Sequence, residues 1–302
     1  TILEELEKHS TDKYRTKAYE KAITNISAYP KRIESVAEAL TISGVGKGIG
    51  EKIGEILATG TLQEYERIKK MYPDLDATLA LFQKIYSVGP KTALSWYRSG
   101  FRTYADIPAH MLSDVRKVSI QYLAETEQRI KREDIEFFET EFRKYLAQMG
   151  ATDMIEFKIC GSYARGTATS GDIDILVNSK NYEPKSIIRA MISFPMFTHS
   201  FSFGNKKFLG LCVIRNIHHR VDIEVCSPQE YPLAVNYFTG PLEFNILMRN
   251  RAIQLGYRLN EKQLLDSHGM PLYIQSEEHL FAILGVQYLT PQQRQAYVLH
   301  PK

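Results

Sequence analysis

Cysteine is scarce: 302 residues hold three, Cys160, Cys212 and Cys226. Three thiols cannot all pair, and their spacing fits no metal-binding pattern, which excludes a disulfide scaffold and suits a reducing compartment. They read as small buried hydrophobes. Tryptophan occurs once, at Trp96, where its neighbours suggest helix packing and not a base-stacking platform. Long apolar runs are missing as well. None approaches the ~18 residues that cross a bilayer, so no membrane partner is expected. The opening Thr1-Ile2-Leu3-Glu4-Glu5 lacks the pattern of a signal peptide. Eighteen glycines and 12 prolines are too few for a collagen or low-complexity chain. Nor does one sign of charge dominate. Thirty-eight basic against 35 acidic residues leave a net +3, so composition alone does not argue for a polyanion and any such site must be local.

What is present is the 44% apolar and 24% charged content of a globular protein, in a length that suits about two domains. From Leu3 to about Pro73 the pattern is helical: Tyr19, Ile23 and Ile26 recur at helical spacing, as do Val36, Ala37 and Leu40 after the Tyr29-Pro30 break. A second helical stretch follows from about Leu75. It ends in a helix over 133–149 with Ile135, Phe138, Phe142, Leu146 and Met149 on one face. The character then changes. Segments 156–160, 173–177, 208–214 and 220–225 read as strands, with turns and helices between them. The tail, from Tyr237 on, carries an amphipathic helix over 244–255 and short irregular pieces. Helices followed by a mixed sheet make an α+β chain. The expected divisions are 1–70, 71–131, 132–230 and 231–302.

The chain echoes itself. Ile42-Ser43-Gly44-Val45-Gly46-Lys47 resembles Ile85-Tyr86-Ser87-Val88-Gly89-Pro90-Lys91 about 43 residues on. Each is an apolar residue, a tight turn and a helix start, which lets successive backbone N–H groups face an anion. The pair looks like two helix-hairpin-helix elements, which grip DNA backbone without reading sequence. Gly44, Gly46, Lys47, Gly89 and Lys91 are the candidate contacts; Ser87, where the pattern wants glycine, weakens the second copy.

The most specific stretch is Cys160-Gly161-Ser162-Tyr163-Ala164-Arg165-Gly166, followed by Gly171-Asp172-Ile173-Asp174. A strand that ends in Gly161-Ser162 and enters a helix can hold a triphosphate, with Ser162 and Arg165 donating to it. Asp172 and Asp174, two apart on a strand, present both carboxylates to one side, and such oxygens suit Mg²⁺. Asp222, on a second candidate strand, supplies the third carboxylate of a two-metal site for in-line nucleotidyl transfer.

Over nearly its whole length, from Tyr19 to about Tyr288, the chain resembles the X family of DNA polymerases, most nearly its beta-type members. The Gly-Ser and Asp-x-Asp segment matches the family palm, Tyr237-Phe238-Thr239-Gly240 its sugar-gate segment, and Phe244-Asn245-Ile246-Leu247-Met248-Arg249 the helix flanking the nascent base pair. The resemblance implies a helical lyase-like domain, a helical thumb, a mixed-sheet palm and a small C-terminal subdomain. It implies Asp172, Asp174 and Asp222 as ligands of two Mg²⁺ ions, with Mn²⁺ able to replace them, and a monovalent cation at the hairpin turns. Arg129, Gly161, Ser162, Arg165 and Gly171 fall on positions that contact the incoming triphosphate. Tyr237, Phe238 and Gly240 fall under the sugar, Asn245 on the incoming base, Arg249 on the template strand, and Arg220 on a primer-strand phosphate. In the N-terminal domain Lys52 falls on the Schiff-base lysine of a deoxyribose-phosphate lyase. Tyr19 falls on a tyrosine of that pocket, and Arg15 on a lysine that binds the 5′-phosphate.

The chain departs from the beta type at Gly48 (a phosphate-binding lysine there), Glu224 (an arginine), Leu242 (an aspartate) and Lys262 (a tyrosine). The implied activity is templated gap filling by a monomer acting on gapped or nicked DNA with a 5′-phosphate and on deoxynucleoside triphosphates, with lyase activity through Lys52. The expected form is a minimal one without a proofreading domain, at work inside a cell, with nucleus, virion or viral factory and bacterial cytoplasm all left open. Three alternatives are weighed: a template-independent nucleotidyltransferase, disfavoured by the short Arg215-Asn216-Ile217-His218 turn, a polymerase whose lyase-like domain only binds the 5′-phosphate, and a DNA-binding scaffold with a vestigial site. His218 and His219 are expected to be solvated or to touch DNA backbone.

Overall fold

The computed structural model describes residues 2–9, 13–150, 155–179 and 183–299. It divides into two compact units, Thr1–Met111 and Leu112–Lys302, so the expected segment 71–131 is shared between them. The last three residues of the expected C-terminal piece lie outside the described residues.

The first unit is helical: α1 (Ile2–His9), α2 (Lys13–Ser27), α3 (Val36–Leu40), α4 (Lys47–Thr59), α5 (Gln63–Met71), α6 (Leu75–Gln83) and α7 (Pro90–Arg98). Its N-terminal core gathers Leu3, Leu6, Tyr19, Ala22, Ile42, Val45, Ile49, Ile53 and Leu62; of the positions expected from the helical spacing Tyr19 is buried, Ile23 and Ile26 are partly buried against this core, and Val36, Ala37 and Leu40 are exposed. Trp96 is buried and meets Phe82 edge-on, as packing requires.

The two turns of the echo are built alike. Gly44 has φ +90° and Ser87 φ +63°, and in each case the helix starts three residues later, straight after a glycine in extended conformation, Gly46 (φ −86°, ψ 176°) or Gly89 (φ −90°, ψ 176°). The ladder matches too: Val45 N–H donates to Ile42 O and Val88 N–H to Ile85 O. Ser87 thus adopts the backbone its glycine counterpart uses. At Gly44 a side chain is ruled out, since a Cβ would come within 2.8 Å of Lys21 Cγ.

The second unit is α+β, as expected. Short helices α8 (Asp114–Gln121) and α9 (Leu123–Thr126) lead to strand β1 (Ile130–Lys131) and helix α10 (Arg132–Gln148). Next come β2 (Ile155–Ile159), α11 (Gly161–Ala164), β3 (Thr169–Ser170), β4 (Ile173–Ser179), α12 (Pro184–Ile192), β5 (Phe197–Phe203), β6 (Lys207–Ile214) and β7 (Ile217–Cys226). The five-stranded sheet runs β2-β4-β7-β6-β5; only β4 and β7 are parallel. Helices α10 and α12 cover one face. Ile135, Phe138, Phe142 and Leu146 from α10, and Ile188 and Met191 from α12, pack against Ile173, Ile175, Val221 and Ile223. Met149 departs from the expected face: it caps the helix and is exposed. Strand β5 was not foreseen.

Helices α13 (Tyr231–Thr239) and α14 (Leu242–Gln254), a small sheet of β8 (Arg258–Leu259), β9 (Leu264–Leu265) and β10 (Pro271–Leu272), and helices α15 (Glu277–Ile283) and α16 (Pro291–Leu299) complete the chain. Phe244, Met248, Ala252, Leu264, Leu280 and Phe281 form their own core. The three cysteines are free and buried.

Candidate active site and DNA contacts

Parallel pairing of β4 with β7 sets Asp174 directly opposite Asp222. Their neighbours Ile173, Ile175, Val221 and Ile223 point into the core, so strand alternation turns both carboxylates to the other face. Asp172 is not on the strand, contrary to expectation: it lies in the bend just before β4. Burial pushes the Asp174 carboxyl up to about 7, reinforced by the charges of Asp172 and Asp222 and opposed by Arg165 and Arg220. Burial and Asp172 likewise push Asp222 up to about 6, against Arg220 and Lys207. This is a negatively charged pocket of hard oxygen donors, the chemistry a hard divalent cation takes. Among the described residues, however, no three such side chains converge as a ready metal cage. Asp172 Oδ2 lies instead 3.4 Å from Arg220 Nη2, so the residue expected at a primer phosphate holds one carboxylate aside.

Gly161 opens α11 with φ +59°, and a Cβ there would fall on Asp174 Oδ2; the glycine lets the loop close on the carboxylate. Helix α11 has one turn only, and Ser162 sits in it, half-buried. The β1–β3 ribbon, pairing Ile130 with Ser170, brings Arg129 beside Gly171, where Arg129 donates to Thr169 Oγ1 (3.1 Å) and Thr169 O (2.6 Å). Arg165 does not stand open toward a triphosphate. Its Nη1 donates to Thr239 O and its Nε to Gln295 Oε1, both at 2.7 Å, which ties the loop to the end of α13.

Tyr237 and Phe238 end α13 with their rings edge-to-face at 5.2 Å, and Gly240 (φ +62°) breaks the helix. Asn245 on α14 is buried; its Nδ2 donates to Tyr237 O at 2.8 Å while its Oδ1 has no hydrogen-bond partner. Arg249, one turn on, lies 5.3 Å from the Tyr237 ring and 4.0 Å from Glu261. Tyr237, Asn245 and Arg249 thus lie together at the junction of α13 and α14.

Lys207 was missed. It faces Glu224 across the β6–β7 ladder, pairs with it at 2.7 Å and lies 5.9 Å from the Phe238 ring. A cleft of about 80 Å³ lined by Asp174, Asp222, Lys207, Glu224 and Phe238 adjoins the carboxylates. The negative charge that Glu224 brings in place of an arginine is countered on the spot by Lys207. His218 and His219 also differ from expectation. The His218 ring and backbone N–H both meet Glu125 Oε2, and the ring stacks on Tyr122 at 3.9 Å, while His219 is buried.

In the helical unit, Gly46 and Gly89 start α4 and α7 without any side-chain cap, so neither cap residue covers the first N–H groups. Lys47 is exposed beside the first turn; Lys91, 96% exposed, lies 3.9 Å from Glu20 beside the second. Tyr19 is part of the core, and its hydroxyl accepts from Arg15 at 3.2 Å. Lys52 on α4 is ion-paired with Glu64 on α5, and Arg15 on α2 reaches the other oxygen of Glu64 at 2.6 Å. Burial pushes the Glu64 carboxyl up, but Lys52 and Arg15 outweigh it and hold it below the usual carboxylate range. Glu64, the ion-pair partner of the candidate Schiff-base lysine Lys52, was not singled out from the sequence.

Four family profiles match in order: "Helix-hairpin-helix domain" over 1–62, "Fingers domain of DNA polymerase lambda" over 80–127, "DNA polymerase beta palm" over 129–228 and "DNA polymerase beta thumb" over 234–295. The chain belongs to the X family of DNA polymerases. Within that family it is similar to "DNA polymerase lambda" of Rattus norvegicus, 29% identical over 94% of this chain and 53% of the relative. The "DNA polymerase lambda" of Arabidopsis thaliana is also 29% identical, over 93% and 58%. The "DNA polymerase type-X family protein pol4" of Schizosaccharomyces pombe is 27% identical over 81% and 50%. The chain spans about half the length of the curated relatives it matches. The X-family profiles give the word fingers to part of the segment expected as the thumb, and thumb to the C-terminal piece; the order of segments is the expected one. At the position between β6 and β7, this X-family member has a two-residue turn, with Arg215 (φ +49°) and Asn216 (φ +65°) closing the Ile214–Ile217 pair.

Proposed function

We propose that the chain is a DNA-templated DNA polymerase that fills short gaps inside the cell. The observation that carries this reading is the pairing of Asp174 with Asp222 on parallel strands, with Asp172 at the same edge, next to the Gly161-Ser162 loop. These three carboxylates would hold divalent cations, which supply charge neutralisation for a primer hydroxyl attacking the α-phosphate of an incoming nucleotide. The chain's own residues do the rest. Arg129 and Ser162 would take the triphosphate oxygens, while Arg165 holds their loop to the end of α13. Tyr237, Phe238 and Gly240 would pack the sugar, and Asn245, through its unpartnered Oδ1, and Arg249 would line the nascent pair. The two turns at Gly44 and Ser87 would grip phosphates through helix N-termini, with a monovalent cation able to join them.

Lys52 would act as a deoxyribose-phosphate lyase. Its amine would add to the C1′ aldehyde and release water to form an imine, and β-elimination would then expel the 3′-phosphate. The ion pair of Lys52 with Glu64 favours a second reading of this unit, in which it only holds the 5′-phosphate. One assay separates them: a single-nucleotide gap with a 5′-deoxyribose phosphate, incubated with Mg²⁺ and borohydride. Extension together with a trapped adduct that is lost in Lys52→Ala supports the bifunctional enzyme. Extension without trapping supports the second reading, and absence of extension with Mg²⁺ or Mn²⁺ contradicts the polymerase.

A further inference from the structure

Arg15 and Lys52 come from helices α2 and α4, and one carboxylate joins them. Glu64, in the first turn of α5, gives Oε1 to Arg15 Nη2 at 2.6 Å and Oε2 to Lys52 Nζ. Arg15 is further fixed by the hydroxyl of the buried Tyr19. Two cations from separate helices sharing a bridging oxyanion form an anion site, and here the anion is the chain's own. A phosphate on a 5′-terminus presents the same pattern of oxygens and more charge. Lys52 and Glu64 are both partly withdrawn from solvent, with 21% and 36% of their side chains exposed, so the pair is more than a floppy surface contact.

We infer that Glu64 is a built-in competitor for the 5′-phosphate, occupying the Arg15–Lys52 site until a terminal phosphate displaces it. This rests on the reading of the helical unit as a 5′-phosphate pocket. Displacement has one consequence: it selects a phosphate over a 5′-hydroxyl by exchange, not by simple addition. Glu64 is therefore a specificity-determining residue, and it sets how tightly the phosphate is held.

The test is the ratio of affinities of the full chain for gapped DNA with a 5′-phosphate and with a 5′-hydroxyl, a ratio in which general charge effects cancel. Glu64→Gln should raise that ratio roughly fivefold or more, the scale of losing one or two competing ion pairs. Glu64→Asp, which keeps the charge but is one methylene shorter, should raise it about twofold. Should Glu64→Gln fail to melt cooperatively, the aspartate variant decides alone. An unchanged or lower ratio in the folded variant overturns the competitor role. If the native ratio exceeds one and collapses in Arg15→Ala, the phosphate pocket survives that outcome. A ratio of one in the native chain, Arg15→Ala and Glu64→Gln alike overturns both. A native ratio near one that rises in Glu64→Gln supports the inference.

Discussion

Asp174 carries the largest electrostatic load of the candidate site. Its folded-state carboxyl titrates near 7, raised from an ordinary 3.8 by burial and by its two acidic neighbours. An acid whose folded value lies above its unfolded one binds more protons in the folded state, so it stabilises the fold at low pH and loses that contribution as pH climbs from about 4 through about 7. Asp174→Asn removes the penalty. In EDTA the variant's melting temperature should exceed that of the native chain by a margin that widens between these pH values and is level above them. A margin that is constant with pH would show that the negative cluster is not under strain. The same substitution should abolish extension while leaving gapped-DNA affinity within a few-fold, since most affinity for DNA comes from phosphate contacts elsewhere. At Lys52 the decisive quantity is a partner, and that partner was hidden. The lysine is marked by its place after Gly-Val-Gly, whereas Glu64, 49 residues from Arg15, sits in an ordinary acidic first turn.

Turns and strands were legible to different degrees. The first hairpin turn could be read because its positive φ leaves a glycine, Gly44, in the sequence, and the second by its matching flanks, although Ser87 takes the same backbone. Gly44→Ala should destabilise the chain by about 1–3 kcal/mol, from the left-handed backbone and the contact with Lys21, measured as a shift in urea midpoint. A neutral substitution would contradict the account of this turn. The strands that carry the carboxylates were readable from their apolar runs, and the α10 face from its 3.6-residue period. Strand β5 was not. Its exposed positions are Thr198, Ser200, Ser202 and Phe203, its alternate positions are only half-buried, and its pairing with β6 is interrupted by register shifts. Partner choices across the sheet were out of reach for a different reason. That Lys207 faces Glu224 depends on the register of β6 against β7, which is set by the tight turn at Arg215 and Asn216. The same holds for Arg220 against Asp172 and for His218 against Glu125: residue types were visible, their neighbours were not.

At the scale of the whole molecule, a net charge of +3 on 302 residues is too small to steer DNA by itself. Binding must come from local phosphate contacts, and affinity for gapped DNA should fall by roughly tenfold or more between 50 and 200 mM salt through counterion release. A salt-independent affinity would point to a surface that does not track the DNA backbone. The order of parts, hairpin unit first and the sheet with its carboxylates afterwards, was legible because motifs of the X family recur along the chain in the family order. The division into compact units near residue 111 was not, since the sequence reads as one helical stretch from about Leu75, whereas the boundary falls between α7 and α8. The central claim is that the chain copies a template through Asp172, Asp174 and Asp222. It is tested most directly by presenting a one-nucleotide gap with each of the four template bases, with Mg²⁺ and all four nucleotides, and sequencing what is added. Insertion of the complementary nucleotide opposite each base, lost in Asp174→Ala, is the result predicted. Additions that ignore the template base, or that persist without Asp174, would contradict it.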